Sequence, residues 1–137
     1  MTQYAPADED ELLTQVRALT LYDDTRDELP NATLQTQIGV AQMMLKNKTG
    51  SENFYTDSGL GQALLGTTAI LAKAAVENYS VDRWSVGADD IDVSGAGEAD
   101  QMQFEMWNTL VNEGLSDSDT TKRTTSPVLR NSANYIG

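Results

Sequence analysis

Apolar positions along this chain recur by threes and fours, switch briefly to twos, and then return to threes and fours. From Asp8 to Thr20, Leu12, Val16 and Leu19 step by four and three with Leu13 beside them, which predicts an amphipathic helix. Asp8 is its expected cap, with Glu11 three residues on as reciprocal partner, and the acidic first turn suits the positive end of the helix dipole. Leu21 to Leu29 reads as a charged connector. Pro30 and Asn31 open a second helix with the stripe Leu34, Ile38, Ala41 and Leu45, joined by Met44. Lys46 and Lys48 in its last turn and Gly50 behind them supply C-terminal chemistry.

The segment from Ser58 to Tyr79, capped by Asp57 or Ser58, is alanine-rich and apolar on most sides: Leu60, Leu64, Thr67, Leu71 and Ala74 carry the repeat. Gly66 in its middle costs about 1 kcal/mol relative to alanine, which implies a close helix crossing there. Between Arg83 and Ser94 the period becomes two. Trp84 and Val86 flank Ser85, Ile91 and Val93 flank Asp92, and Gly87-Ala88-Asp89-Asp90 supplies a turn, which together predict a hairpin. An isolated two-stranded ribbon is marginal in water, so these four apolar residues are expected to dock on helices or on a neighbouring subunit. Gly95 and Gly97 form a joint, and Glu98 to Glu113 is the last helix, ending at Gly114. Its stripe of Met102, Met106 and Leu110, with Phe104, Trp107 and Val111 beside it, is assigned to the core.

The expected fold is mainly α: a small bundle of about four helices with a short β-hairpin between the last two. Residues 1–116 form one domain, with the hairpin at about 83–94, and 117–137 form an extended C-terminal docking tail. That tail is Ser/Thr/Asp-rich with Pro127 and cannot build a core.

Charge divides the chain in the same way. The net charge is −12, and residues 117–137 carry +1, so the rest carries −13. Such a surface repels nucleic acid and anionic membrane, and DNA-binding or membrane partners are not expected. Periodic apolar segments argue against acidic disorder, which leaves a folded protein adapted to high salt. The acidic, polar stretch from Met1 to Asp10 lacks the chemistry of a signal peptide, and no apolar run is expected to reach the length of a membrane span. With no cysteine, no disulfide holds the fold, which fits a reducing compartment.

Candidate chemistry is sparse. With no histidine and no cysteine, imidazole catalysis, thiolate nucleophiles and soft-metal sites are excluded. Asp90-Ile-Asp92-Val-Ser94-Gly95 copies the opening of a calcium loop, but Gln101 stands where a bidentate glutamate is needed and Gly97 where an aliphatic is needed. Solvated acids are the better account. Adjacent acids such as Asp23/Asp24 or Asp89/Asp90 are expected in so acidic a chain and mark no glycosidase pair. Gly95-Ala-Gly97 has no lysine behind it, and Glu98 sits where an anion would bind. Asn31-Ala-Thr33, Asn47-Lys-Thr49 and Asn78-Tyr-Ser80 match the glycosylation sequon but read as helix-end polar residues. A winged helix would read DNA with Ser58 to Tyr79, whose one basic residue, Lys73, cannot track phosphates. No catalytic residue, cofactor or metal is assigned, and no enzyme activity is expected.

The run Leu64 to Tyr79, then Trp84-Ser-Val-Gly87, Ile91-Asp-Val-Ser94 and the aromatic helix Phe104 to Leu110, resembles the head–tail adaptor (connector, or head-completion) family of long-tailed viruses. The likeness covers about residues 8–115, with the extended tail as the departure. It implies a virion protein of the neck, assembled in the host cytoplasm into a homo-oligomeric ring, usually of twelve subunits. The ring would sit under the portal protein at the capsid vertex, continue the DNA channel around passive genome, and seat the next neck or tail-completion protein. Acidic composition would make the source a tailed virus of a halophilic archaeon. The resemblance gives portal gripping to the C-terminal segment, in which Lys122, Arg123 and Arg130 form an acid-free basic run and Tyr135 and Ile136 an apolar anchor. It gives ring or neck contacts to the hairpin, with Trp84, Val86, Ile91 and Val93. The alternative is a small halophilic helical domain with a binding or regulatory role and no enzymatic activity.

Overall fold

The computed structural model describes residues 5–21 and 30–118. Within them lie four helices, α1 (Glu9–Thr20), α2 (Asn31–Thr49), α3 (Ser58–Glu77) and α4 (Glu98–Asp117). Two short antiparallel strands, β1 (Ser80–Val81) and β2 (Val93–Ser94), pair between α3 and α4 with Ser80 opposite Ser94 and Val81 opposite Val93. The fold is the mainly helical bundle with a small hairpin that the periodicity predicts.

Helix ends follow local chemistry. The Asp8 side chain accepts from the Glu11 backbone N–H at 2.9 Å, while the Glu11 carboxylate accepts from the Ala7 N–H at 2.7 Å, one residue ahead of the usual reciprocal bond. Gly50 closes α2 at φ 77°, in the left-handed region that glycine enters without strain. Asp57 caps α3 by accepting from Gly59 N–H and Leu60 N–H, and Asn78 ends it at φ 60°. Of the three sequon asparagines, Asn31 opens α2, Asn47 lies in its last turn and Asn78 caps α3; Arg17 on α1 donates to the Asn31 side chain.

α3 is the centre of the molecule. It packs on all three other helices, most extensively on α4, while α2 and α4 have no extensive contact with one another. Leu60, Leu64, Leu65 and Ile70 are wholly buried, each contributing about 1.5–3 kcal/mol of hydrophobic stabilisation. α3 is long and apolar enough to cross a membrane by length and composition, contrary to the expectation that no run would be. In this fold 83% of that stretch is covered by the protein's own elements.

Two backbone approaches lock α3 to α4. A Cβ built on Gly66 would lie 2.7 Å from Val111 Cγ2 and 2.9 Å from the Trp107 carbonyl, which is the close crossing the mid-helix glycine implies. A Cβ on Gly114 would lie 2.5 Å from the Gly59 carbonyl and 2.8 Å from Ala63 N. Gly114 is therefore a packing residue and not the expected terminator. The helix runs on to Asp117, and Ser118, fully buried, donates its hydroxyl to Asp57 Oδ2 at 2.9 Å. Asp117 and Ser118, assigned from sequence to the tail, belong to the folded body.

Gly114 also decides which face of α4 points inward. Phe104, Trp107, Val111, Gly114 and Leu115 share that face and are buried, with Phe104 edge-on to Trp107. Met102 and Met106, assigned to the core by sequence, are 65% and 55% exposed, and Leu110 is half-buried. Two apolar stripes of helical period compete on this helix. Only the one with a glycine lets the backbones close.

The hairpin is likewise displaced. Its strands are Ser80–Val81 and Val93–Ser94, so Trp84 and Val86 are not on a strand, and residues 82–92 form a broad loop. A tight turn falls at Val86-Gly87, closed by Ala88 N–H to Ser85 O at 2.9 Å, with Gly87 at φ 88°. Alternation of period two in Trp84-Ser-Val86 arises here from a loop that folds one apolar residue inward.

Candidate functional site

The loop 82–92 lies along α4 because three amides of that helix hold its backbone. Asn108, buried on the α4 face next to the core stripe, donates to the carbonyls of Ala88 (3.1 Å) and Asp89 (3.3 Å) and accepts from Trp84 Nε1 at 2.7 Å. Asn112, one turn on, donates to Ala88 O at 3.2 Å, and Gln101, nearly two turns earlier, donates to Ile91 O at 2.8 Å. Their spacing of seven and four puts them on one side of the helix, the signal by which sequence could have found them. Each fills a carbonyl that the missing strand ladder would otherwise leave unpaired.

With the loop so held, Val86, Ile91 and Val93 are 4%, 5% and 4% exposed and belong to the protein's own core. They are not available to a partner in this fold, which corrects their assignment as a ring or neck interface. Trp84 is half-buried. Its ring borders an open recess of about 610 Å³ whose rim carries Arg83, Ser85, Asp89, Asp90 and Asp92. Arg83 pairs with Asp92 at 3.2 Å. The acids of the calcium-like segment do not converge, and among the described residues no group of three metal-ligating side chains comes together.

At the base of the hairpin, α3 and α4 are joined by a polar cluster. Lys73, almost wholly buried, lies 3.3 Å from Asp100 Oδ1, and the Tyr79 hydroxyl donates to Asp100 Oδ2 at 2.6 Å. The Tyr79 hydrogen bond and the Lys73 charge hold the Asp100 carboxyl below its ordinary value, against partial burial, which acts the other way. The same hydrogen bond raises the Tyr79 phenol to about 12, with burial and the Asp100 charge adding to it. Lys73, the one base on α3, is thus a tie between helices. The docking residues of the tail (Lys122, Arg123, Arg130, Tyr135 and Ile136) lie outside the described residues.

The remaining candidates are the outer faces of α2 and α4. Val40 (37%) and Met43 (60%) stand exposed on the first, Met102 and Met106 on the second. Comparison of the chain with protein-family models, with curated proteins and with solved structures finds no match.

Proposed function

We propose that this chain is a structural neck protein of a tailed virus, non-enzymatic, forming a ring between the capsid portal and the next neck or tail component. The observation that carries the reading is the arrangement of elements: an acidic first helix, a second helix, an alanine-rich helix at the centre, a hairpin, and an aromatic last helix from which the tail departs. That order supports the adaptor resemblance of the sequence. Two of the three groups with shifted titration among the described residues, Asp100 and Tyr79, support it in a second way, because they bond to one another, and Asp100 to Lys73, between two helices instead of facing a cleft; the third, Tyr55, is raised chiefly by burial.

Self-association and a docking tail are parts of the same proposal. A partner from the same saline source would be acidic, and the acid-free basic run of Lys122, Arg123 and Arg130 is suited to meet it, with Tyr135 and Ile136 adding apolar contact that salt does not screen. The test is deletion of residues 119–137, a boundary that spares Ser118 and its bond to Asp57. The shortened protein is expected to fold with an unchanged unfolding temperature and to lose attachment to portal-containing capsids. Normal attachment would overturn the tail's role, and failure of the full-length chain to attach would overturn the neck reading.

A further inference from the structure

Among the described residues, helical glycines have visible reasons, with one exception. Gly59, Gly61, Gly66 and Gly114 each stand where a Cβ would strike another segment of the chain. Gly39, in the middle of α2, has nothing within 4 Å of the position a Cβ would take. A mid-helix glycine weakens the helix relative to alanine, and among the described residues no close packing offsets that loss. Beside it on the same outward face stand Val40 and Met43, both exposed. A small residue flanked by apolar ones is how a helix accepts another backbone at close range, so the face is shaped for a contact from outside the subunit.

The outer face of α4 is its counterpart. Met102 and Met106, one turn apart, are its apolar knobs, and methionine's flexible thioether is enriched at such contacts. The charges are complementary. α2 contains no acid, and Lys46 lies beside this outer face while Lys48 lies over Gly87 on the side turned to the loop 82–92; α4 contains five acids, Glu105 and Glu113 among those flanking the methionines, and no base. Lys46 already lies 3.4 Å from Glu52 in its own chain, but both groups are largely exposed and the pair is open to exchange. In a chain of net charge −12, α2 is a helix that can face α4 of another copy without repulsion.

We infer that the outer face of α2, centred on Gly39 and Met43, docks on the outer face of α4, centred on Met102 and Met106, of a second copy of this chain. The two faces belong to different helices, so a copy that offers α2 to one neighbour and α4 to another is joined head-to-tail. Repetition of such a contact closes a ring if the rotation allows and otherwise grows a filament. The inference deepens the ring-forming reading above and rests on it. Charge sets the pairing of faces, and the methionines packed against Gly39 supply attraction that survives in high salt.

The test uses the full-length chain in multimolar KCl, followed by sedimentation velocity. One variant carries Gly39→Gln and Met43→Gln, the other Met102→Gln and Met106→Gln. All four positions are exposed, so both variants should keep their helix content and unfold cooperatively. Wild type is expected to sediment as a closed multi-subunit particle, and each variant as a monomer with at least tenfold weaker self-association. Mixed in equal amounts, the variants retain one intact α4 face and one intact α2 face between them, and are expected to form dimers and nothing larger. Assembly of either variant like wild type, a mixture that stays monomeric, or a wild type that never associates would each overturn the contact. Capsid attachment is scored separately. A wild type that attaches while its face variants still form rings leaves the neck reading standing and removes this contact. A wild type that assembles through these faces but ignores the portal does the reverse.

Discussion

At the scale of single residues, the fold separates side chains that look alike in sequence. Thr67 and Thr68 are neighbours and both wholly buried, yet Thr68 donates to Leu64 O at 2.7 Å while the Thr67 hydroxyl has no partner. A buried hydroxyl left unpaired costs about 1–3 kcal/mol, so Thr67→Val is expected to stabilise the protein by about 1 kcal/mol and Thr68→Val to do nothing or destabilise. Urea unfolding of the two variants checks this. The glycines divide in the same way. Gly39→Ala is expected to gain about 1 kcal/mol of subunit stability from helix propensity. Gly66→Ala is expected to lose about 1–3 kcal/mol, because the new methyl strikes Val111 and the Trp107 carbonyl. Neither outcome can be read from residue type.

At the scale of elements, the loop 82–92 is a strand pair only at its base. Beyond the base, side chains of α4 hold three of its carbonyls, and Asn108 donates to two of them while accepting from the Trp84 indole. Asn108→Ala should cost about 2–3 kcal/mol and leave the Trp84 indole without its acceptor. The measurement is thermal unfolding together with the shift of Trp84 fluorescence as the loop loosens. The contact between α3 and α4 has its own pH signature. Asp100 is held below its ordinary value, so its contribution is complete above the unfolded value near 4 and is lost as pH falls below it. Tyr79 is raised from 10.0 to about 12, so its contribution is complete below pH 10 and is lost as pH rises towards 12. Tyr79→Phe is expected to be less stable than wild type at neutral pH, with the gap narrowing between pH 10 and pH 12. Equilibrium unfolding across that range tests it, and a gap independent of pH would remove the hydrogen bond from the account.

At the scale of the whole molecule, charge is the dominant condition. A net charge of −12 on one small domain produces self-repulsion that screening over about 10 Å at 0.1 M salt removes only in part. The unfolding temperature is expected to rise between low salt and multimolar KCl, and an unchanged value would count against adaptation to high salt. If the faces of α2 and α4 pair as inferred, the rise should also grow with protein concentration, because assembly adds stability by mass action.

What the sequence determined by itself is local and periodic. The starts of all four helices, the Asp8 and Asp57 caps, the Gly50 terminator and the burial of α3 are legible because each depends on residues within a turn or two of one another. The close crossing at Gly66 was legible for a related reason: a mid-helix glycine carries a cost that only packing offsets. Tertiary structure decided the rest. Phe104 and Trp107 turn inward and Met102 and Met106 outward because Gly114 lets only one face of α4 approach Gly59. Gly114 continues the helix because the Gly59 carbonyl and Ala63 occupy the space a side chain would take. Val86 and Ile91 enter the core off a loop and not a strand, because amides of α4, distant in sequence, hold the carbonyls a partner strand would have held. Periodicity marks which residues could face a core. Only the meeting of two helices fixes which of them do.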